Sequence, residues 1–226
     1  MSLVDKKPIF AIVASGPSLT TDRVSYIKNL YHLSLIDYLI VVNDNYHLFT
    51  EEADLLYAAD LEWWKLNYDE IKQCEFKGSL LMPYRERHKE FLDTHSDISS
   101  IECVNLLGLS NRIDEKEFDR IHCNGNSGSQ AINVAFRQGA KTILLFGFDM
   151  KVEKTTNREH WFGSHPDGLR SPVSQFSKWI EKFPKIVEDA RKGGTDIVNV
   201  SCADSGLKDI VPYISIEQIY GFLLRG

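Results

Sequence analysis

Nowhere in these 226 residues does an apolar run approach the ~20 residues that a membrane-spanning helix needs. That excludes an integral helical membrane segment. A secretory signal peptide is not expected either, because Asp5-Lys6-Lys7 precedes only one short apolar strand. Basic residues are in the minority, 26 Lys and Arg against 32 Asp and Glu, for a net charge of −6. A surface of that sign suits neither nucleic acid nor an anionic membrane, although a local cation can still meet a phosphate. Cysteine is scarce: Cys74, Cys103, Cys123 and Cys202 show no CxxC and no Cys/His spacing. Their scatter argues against structural zinc and for a reduced, cytoplasmic protein. Internal repeats, linkers and low-complexity stretches are also missing. One α/β domain spanning residues 1–226 is therefore expected, with room for a homo-oligomer.

What the chain does have is alternation. Hydrophobic residues make up 43%, enough for a full core, and they fall into strand-then-helix units. Pro8 to Ala14 reads as a first strand and Asp22 to Tyr31 as a helix capped by Thr20 or Thr21. "IDYLIVVNDN" is a second strand, and "ADLLYAADLEWW" a third that ends at Asp60, followed by a helix from Glu62 to Ile71. "GSLLMP" is a fourth strand. Residues 84–123 have mixed polarity and no clear period; a helix near Glu86 to Asp93 and a strand near Ser100 to Val104 are expected there. Beyond them, Ile132, Ala135 and Phe136 share one helical face, Gly139 closes that helix, and Thr142 to Phe146 is a buried strand. Pro172 to Arg191 reads as one long amphipathic helix, "TDIVNVS" as a strand and Ser215 to Leu224 as a final helix. Repeated units of this kind predict a Rossmann-like, mostly parallel sheet with helices on both faces.

Parallel strands bring their carboxyl ends to one edge, where open α/β sheets bind ligands. The first strand ends in Ser15-Gly16-Pro17-Ser18, the second in Asn43-Asp44, the third in Asp60, and "ILLFGFD" in Asp149. "HCNGNSGSQA" supplies a second Gly/Ser turn, and Asn126, Ser127 and Gly128 open a helix whose N–H groups suit a phosphate. Asn126 or Ser127 also fits a plain N-cap. Neither turn matches GxxxxGK[ST] or GxGxxG. The densest stretch is the loop at 150–172, with His160, Trp161, Phe162, His165, Asp167 and Arg170 inside eleven positions. Function concentrates on loops held by a scaffold. The five-residue spacing of His160 and His165 does not align them on one helix face for zinc, so no metal ligand set is expected.

The GPSL turn, the "NSG…A…A…G…I…GFD" block and "HWFGSH" together resemble a small family of bacterial sialyltransferases. The same core is similar to an archaeal-type 6-hydroxymethylpterin diphosphokinase family. It also resembles uncharacterised phage and prophage proteins, whose pattern the closing "VNVSCADSGLKDIVPYISIEQ" matches. The first resemblance implies a metal-independent transferase with a CMP-sugar donor as substrate and no cofactor. It implies that Ser15 to Ser18 hug the nucleotide phosphate, that Asn43, Ser127 and Gly128 contact the nucleotide, and that His165 is the general base. If His165 is the base, it is expected to face the same cleft as Ser15, Asn43 and Ser127, with Trp161 or Phe162 shielding part of it. Two departures stand out: Ala59-Asp60 replaces the family's third-strand Asn, and "MKVEKTTNRE" replaces a long lid with tyrosines. Lys151, Lys154 or Arg158 would then neutralise the leaving phosphate. The second resemblance implies ATP and magnesium held by carboxylates such as Asp44, Asp60 and Asp149. The shortened lid fits a third reading, a nucleotide- or sugar-binding module without turnover.

Overall fold

A computed structural model describes residues 7–95, 101–109, 112–113, 120–165, 169 and 172–224. In chain order its elements are β1 (Ile9–Val13), α1 (Thr21–His32), β2 (Tyr38–Val42), β3 (Leu55–Tyr57), α2 (Leu61–Gln73) and β4 (Ser79–Tyr84). There follow α3 (Lys89–Thr94), β5 (Ile101–Leu109), β6 (Arg120–Cys123), α4 (Ser127–Arg137) and β7 (Thr142–Phe146). The chain closes with α5 (Gln175–Ile180), α6 (Phe183–Lys192), β8 (Asp196–Asn199) and α7 (Ile216–Leu223). The strands form one 8-stranded sheet in the order β6-β5-β4-β3-β2-β1-β7-β8, and every neighbouring pair is parallel. The fold is thus a single α/β domain of Rossmann-like type.

Alternate strand residues feed two separate cores, which is why the central strands are apolar throughout. Ala11, Val13, Leu39, Val41, Leu144 and Phe146 pack on one face with Ile27 and Leu30 of α1, Trp64 and Ile71 of α2, and Ile219 of α7. Phe10, Ile12, Ile40, Val42, Ile143 and Leu145 pack on the other with Ile132 and Phe136 of α4 and Phe183 and Ile186 of α6. Burying each such side chain stabilises the fold by roughly 1.5–3 kcal/mol before entropy is counted. Short polar caps start the helices. Thr20 accepts from Arg23 N–H, Asp60 from Glu62 N–H and Asn126 from Ser129 N–H.

Four expectations are corrected. The helix expected from Pro172 to Arg191 is two helices, α5 and α6, separated at Glu181 and Lys182. Pro184 explains the break: it has no N–H for the Ile180 carbonyl, and its ring would clash with that carbonyl in a continuous helix. The third strand stops at Tyr57, and Asp60 is the cap of α2 rather than a strand end. β5 runs on to Leu109, well past Val104, and β6 (Arg120–Cys123) is a strand where no element was expected. Glu102, Cys103, Asn105 and Arg120 are exposed on this edge, so its strands lack the apolar run that marks a central strand. Ser100, Asp167 and Arg170 lie outside the described residues. Among the described residues no helix is long and apolar enough to cross a membrane.

Candidate functional site

From β1 the chain steps to β6 in one direction, then returns so that β7 pairs with the free side of β1. That reversal is a topological switch point, and its crevice opens at the carboxyl ends of β1 and β7. The structure fills the crevice with the protein's own groups. Gly16 N–H donates to Gly147 O at 2.8 Å, Ser18 N–H to Asp149 Oδ1 at 3.2 Å, and Ser18 Oγ to Asp149 Oδ2 at 2.7 Å. Pro17 has no N–H. Three consecutive positions of the Gly/Ser turn are therefore unable to offer an N–H to a phosphate. Asp149 is 2% exposed, also accepts from Cys202 Sγ at 3.3 Å, and burial raises its pKa from the ordinary aspartate value against the lowering pull of these hydrogen bonds. It latches β7 to the β1 turn.

The open space lies beside this latch. A cavity of about 320 Å³ is bordered by Ser15 and Gly16, Asn43, Asp60, the α4 start at Asn126, Ser127 and Gly128, and by His160 and His165, a volume at the lower end of ligand pockets. Asn43 sits at φ 53, a left-handed conformation that asparagine tolerates better than most residues. This kink ends β2, starts a 3₁₀ turn over Asn43–His47 and carries Asn43 to the cavity. Its Oδ1 is buried without a hydrogen-bond partner, and so is Asn126 Nδ2, whose amide is oriented by the cap bond to Ser129. A buried acceptor and a buried donor left unpaired on one cavity are costly unless a ligand completes them. Ser127 Oγ accepts from Ala59 N–H at 3.1 Å, tying the start of α4 to the end of β3.

The histidine loop folds back over the β1 and β2 ends. His160 and Gly163 exchange backbone hydrogen bonds at 3.1 and 3.0 Å, and Gly163 has φ 107, which a side chain would strain. Trp161 N–H donates to Ser15 O at 3.0 Å and its indole to Asn45 Oδ1 at 2.8 Å. Phe162 stacks on His160 at 5.1 Å, and His165 meets both rings edge-on at 4.5 and 5.0 Å. His165 Nδ1 lies 3.6 Å from Asp44 Oδ2, while the other Asp44 oxygen accepts from the Trp63 indole at 3.2 Å. Burial pushes His160 down to about 4. Burial also lowers His165, against the raising pull of Asp44 and Glu159. Both imidazoles are neutral at pH 7. A neutral imidazole backed by a carboxylate is a base whose conjugate acid is stabilised once formed.

Of the residues singled out in the sequence, Ser15, Gly16, Asn43, Asp60, Asn126, Ser127, Gly128, His160 and His165 converge on the cavity, whereas Pro17, Ser18, Asp44 and Asp149 stand behind its walls. Trp161 and Phe162 do not line it; Trp63, Phe148, Phe176 and Trp179 are its aromatic walls instead. Lys151, Lys154 and Arg158 are absent from the lining too, and Lys151 pairs with Asp204. The sequence reading missed Arg85, which follows β4 and lines the cavity. The strand-end rule, applied to "GSLLMPYR", would have found it.

Asn45 was also missed, and nothing in its local sequence marks it. Fully buried, it donates through Nδ2 to Val13 O and Val42 O, both at 2.9 Å, and accepts from Trp161. It therefore joins β1, β2 and the histidine loop. Asn45→Ala is expected to destabilise the fold by about 2–4 kcal/mol, since buried groups are left unpaired. The measurement is the urea midpoint at unchanged m, and an unshifted midpoint would refute the role. Compared with known family models and with curated proteins, the chain matches none.

Proposed function

We propose that this chain is a nucleotide-dependent transferase of glycosyltransferase type, with a CMP-sugar as donor and His165 as general base. The observation that carries this reading is the Asp44–His165 pair at 3.6 Å, set on a cavity that also holds the unpaired Asn43 and Asn126 amides. The unpaired amides suit the edge of a base. The α4 start, with the positive end of its dipole, suits a phosphate. The resemblance of GPSL, the NSG–GFD block and HWFGSH to the sialyltransferases points the same way. In the transfer, the acceptor hydroxyl gives its proton to His165 as it attacks the sugar carbon. Asp44, whose buried Oδ2 lies 3.6 Å from Nδ1 with no hydrogen-bond partner of its own, stabilises the imidazolium once it forms, so it acts as a positioning residue.

The diphosphokinase reading asks Asp44, Asp60 and Asp149 to share a magnesium ion. Their oxygens are largely engaged: Asp60 caps α2, Asp149 holds Ser18 and Cys202, and Asp44 gives one oxygen to Trp63 while the other is buried 3.6 Å from His165. Among the described residues no group of three or more His, Cys, Asp and Glu could hold a metal. Thermal unfolding with ligands separates the readings. CMP without metal is expected to raise the melting temperature by roughly 5–10 °C at about 100 times its Kd. A rise with ATP and magnesium alone would replace the transferase with the kinase. Binding of a CMP-sugar with no transfer to any acceptor and no hydrolysis would replace it with the binding module.

A further inference from the structure

Among the described residues that line the cavity, Arg85 is the one Lys or Arg. Its Nη2 donates to Cys123 Sγ at 3.4 Å, a weak acceptor, and among the described residues no carboxylate pairs with it. An arginine left to a thiol keeps most of its planar fork of donors available, and that fork matches the oxygens of a phosphate. Its place in the fold is specific. Arg85 directly follows β4, and Cys123 ends β6 three positions before Asn126, the cap of α4. The guanidinium therefore sits at the end of β6, on the same cavity that Asn126, Ser127 and Gly128 line.

We propose that Arg85 holds the phosphate that leaves with the nucleotide, the task the sequence had assigned to Lys151, Lys154 or Arg158. This rests on the transferase reading above. Asp44 and His165 lie past the end of β2, and Arg85 lies past the end of β4 with β3 between. The backbones of Asp44 and Arg85 are thus about two strand spacings, ~10 Å, apart along the sheet edge, and the guanidinium reaches on from there to the end of β6. Direct displacement suits a base and a cation on different sides of the cavity, because the acceptor enters and the phosphate departs on opposite sides of the reacting carbon. The acceptor oxygen forms its bond to the sugar carbon while the bond from that carbon to the phosphate oxygen breaks. The electron pair stays on the phosphate, where Arg85 meets the growing charge, and the acceptor proton passes to His165 Nε2, the nitrogen turned away from Asp44.

Calorimetric titration of cytidine and of CMP into the wild type, Arg85→Gln and Arg85→Lys tests the assignment. The wild type is expected to bind CMP more tightly than cytidine. Arg85→Gln should weaken CMP by about 10–100-fold, the worth of a charge-assisted hydrogen bond, and leave cytidine unchanged. Arg85→Lys should recover part of the loss, since it keeps the charge without the fork. Arg85 is exposed, so neither change should move the melting temperature appreciably. Equal CMP affinity in Arg85→Gln and wild type would overturn the role, as would an equal loss for cytidine and CMP. A wild type that binds neither ligand would overturn the nucleotide reading itself, and the assignment of Arg85 with it.

Discussion

His165→Ala is expected to lower turnover by roughly 10²–10⁴-fold while leaving the affinity for the donor nearly unchanged. The reason lies in when the ring acts. His165 borders the cavity through a loop that is tied to Ser15 and Asn45 by Trp161, so the loop keeps its place when the imidazole is removed. What disappears is a proton acceptor that matters only as the acceptor hydroxyl attacks, and a loss confined to the transition state appears in kcat rather than in binding. Steady-state kinetics with donor titrated at saturating acceptor, plus direct binding of CMP, read the two quantities separately. A variant with full activity would remove His165 from the mechanism. A variant that loses donor binding in proportion to turnover would make it a binding residue.

The acid side of the pH profile follows from the same site. Burial lowers the His165 pKa below its ordinary 6.5, so the ring stays an unprotonated base at neutral pH. Activity should therefore persist below pH 6.5 and fall only as the ring finally protonates. Asp44 and Glu159 both raise this pKa. Removing the charge in Asp44→Asn should move the acid limb to still lower pH and also cut turnover, because the imidazolium loses its partner. A merely structural Asp44 would leave the limb where it was.

The sheet was readable because its central strands are buried on both faces and carry unbroken apolar runs such as Ile9–Val13 and Thr142–Phe146. The same rule fails at the β5–β6 edge, where half-exposed strands take polar residues. Of the site, the parts set by local chemistry were readable: the Asn126 cap with Ser127 and Gly128, the Asn43 strand end, and the histidines of a dense loop. Parts set by contacts distant in sequence were not. Asn45 bonds to Val13, 32 positions away, and to Trp161, 116 away. Asp149 bonds to Ser18 across 131 positions. An aspartate facing a ligand and an aspartate latching two strands look alike until the fold brings its partner to it.

Gly16 shows the difference most sharply and carries the second large effect. In sequence it is a phosphate turn, and Gly16→Val is then expected to lose nucleotide binding with the fold intact. The structure assigns the glycine another constraint. A Cβ at this position would lie under 3.0 Å from Asp149 Oδ2 and from Gly147 O, closer than real Cβ atoms come to their neighbours. Gly147 has no room to retreat: it stands at φ 69, and a Cβ of its own would press on Ala14 O. Valine at position 16 must therefore part the β1 and β7 turns and break the Ser18–Asp149 bonds. Overpacking at about 1–3 kcal/mol and a lost hydrogen bond to a buried carboxylate at about 1.5–3 kcal/mol add to about 3–6 kcal/mol. That is a large share of the ~5–15 kcal/mol that holds a typical domain together. Thermal unfolding should show Gly16→Val melting roughly 10–20 °C below wild type. Gly108→Ala, whose added Cβ meets nothing within 4 Å, serves as the control with little change. A Gly16→Val protein that melts like wild type would show that the two turns can separate without cost, and the latch would not be what closes the switch point.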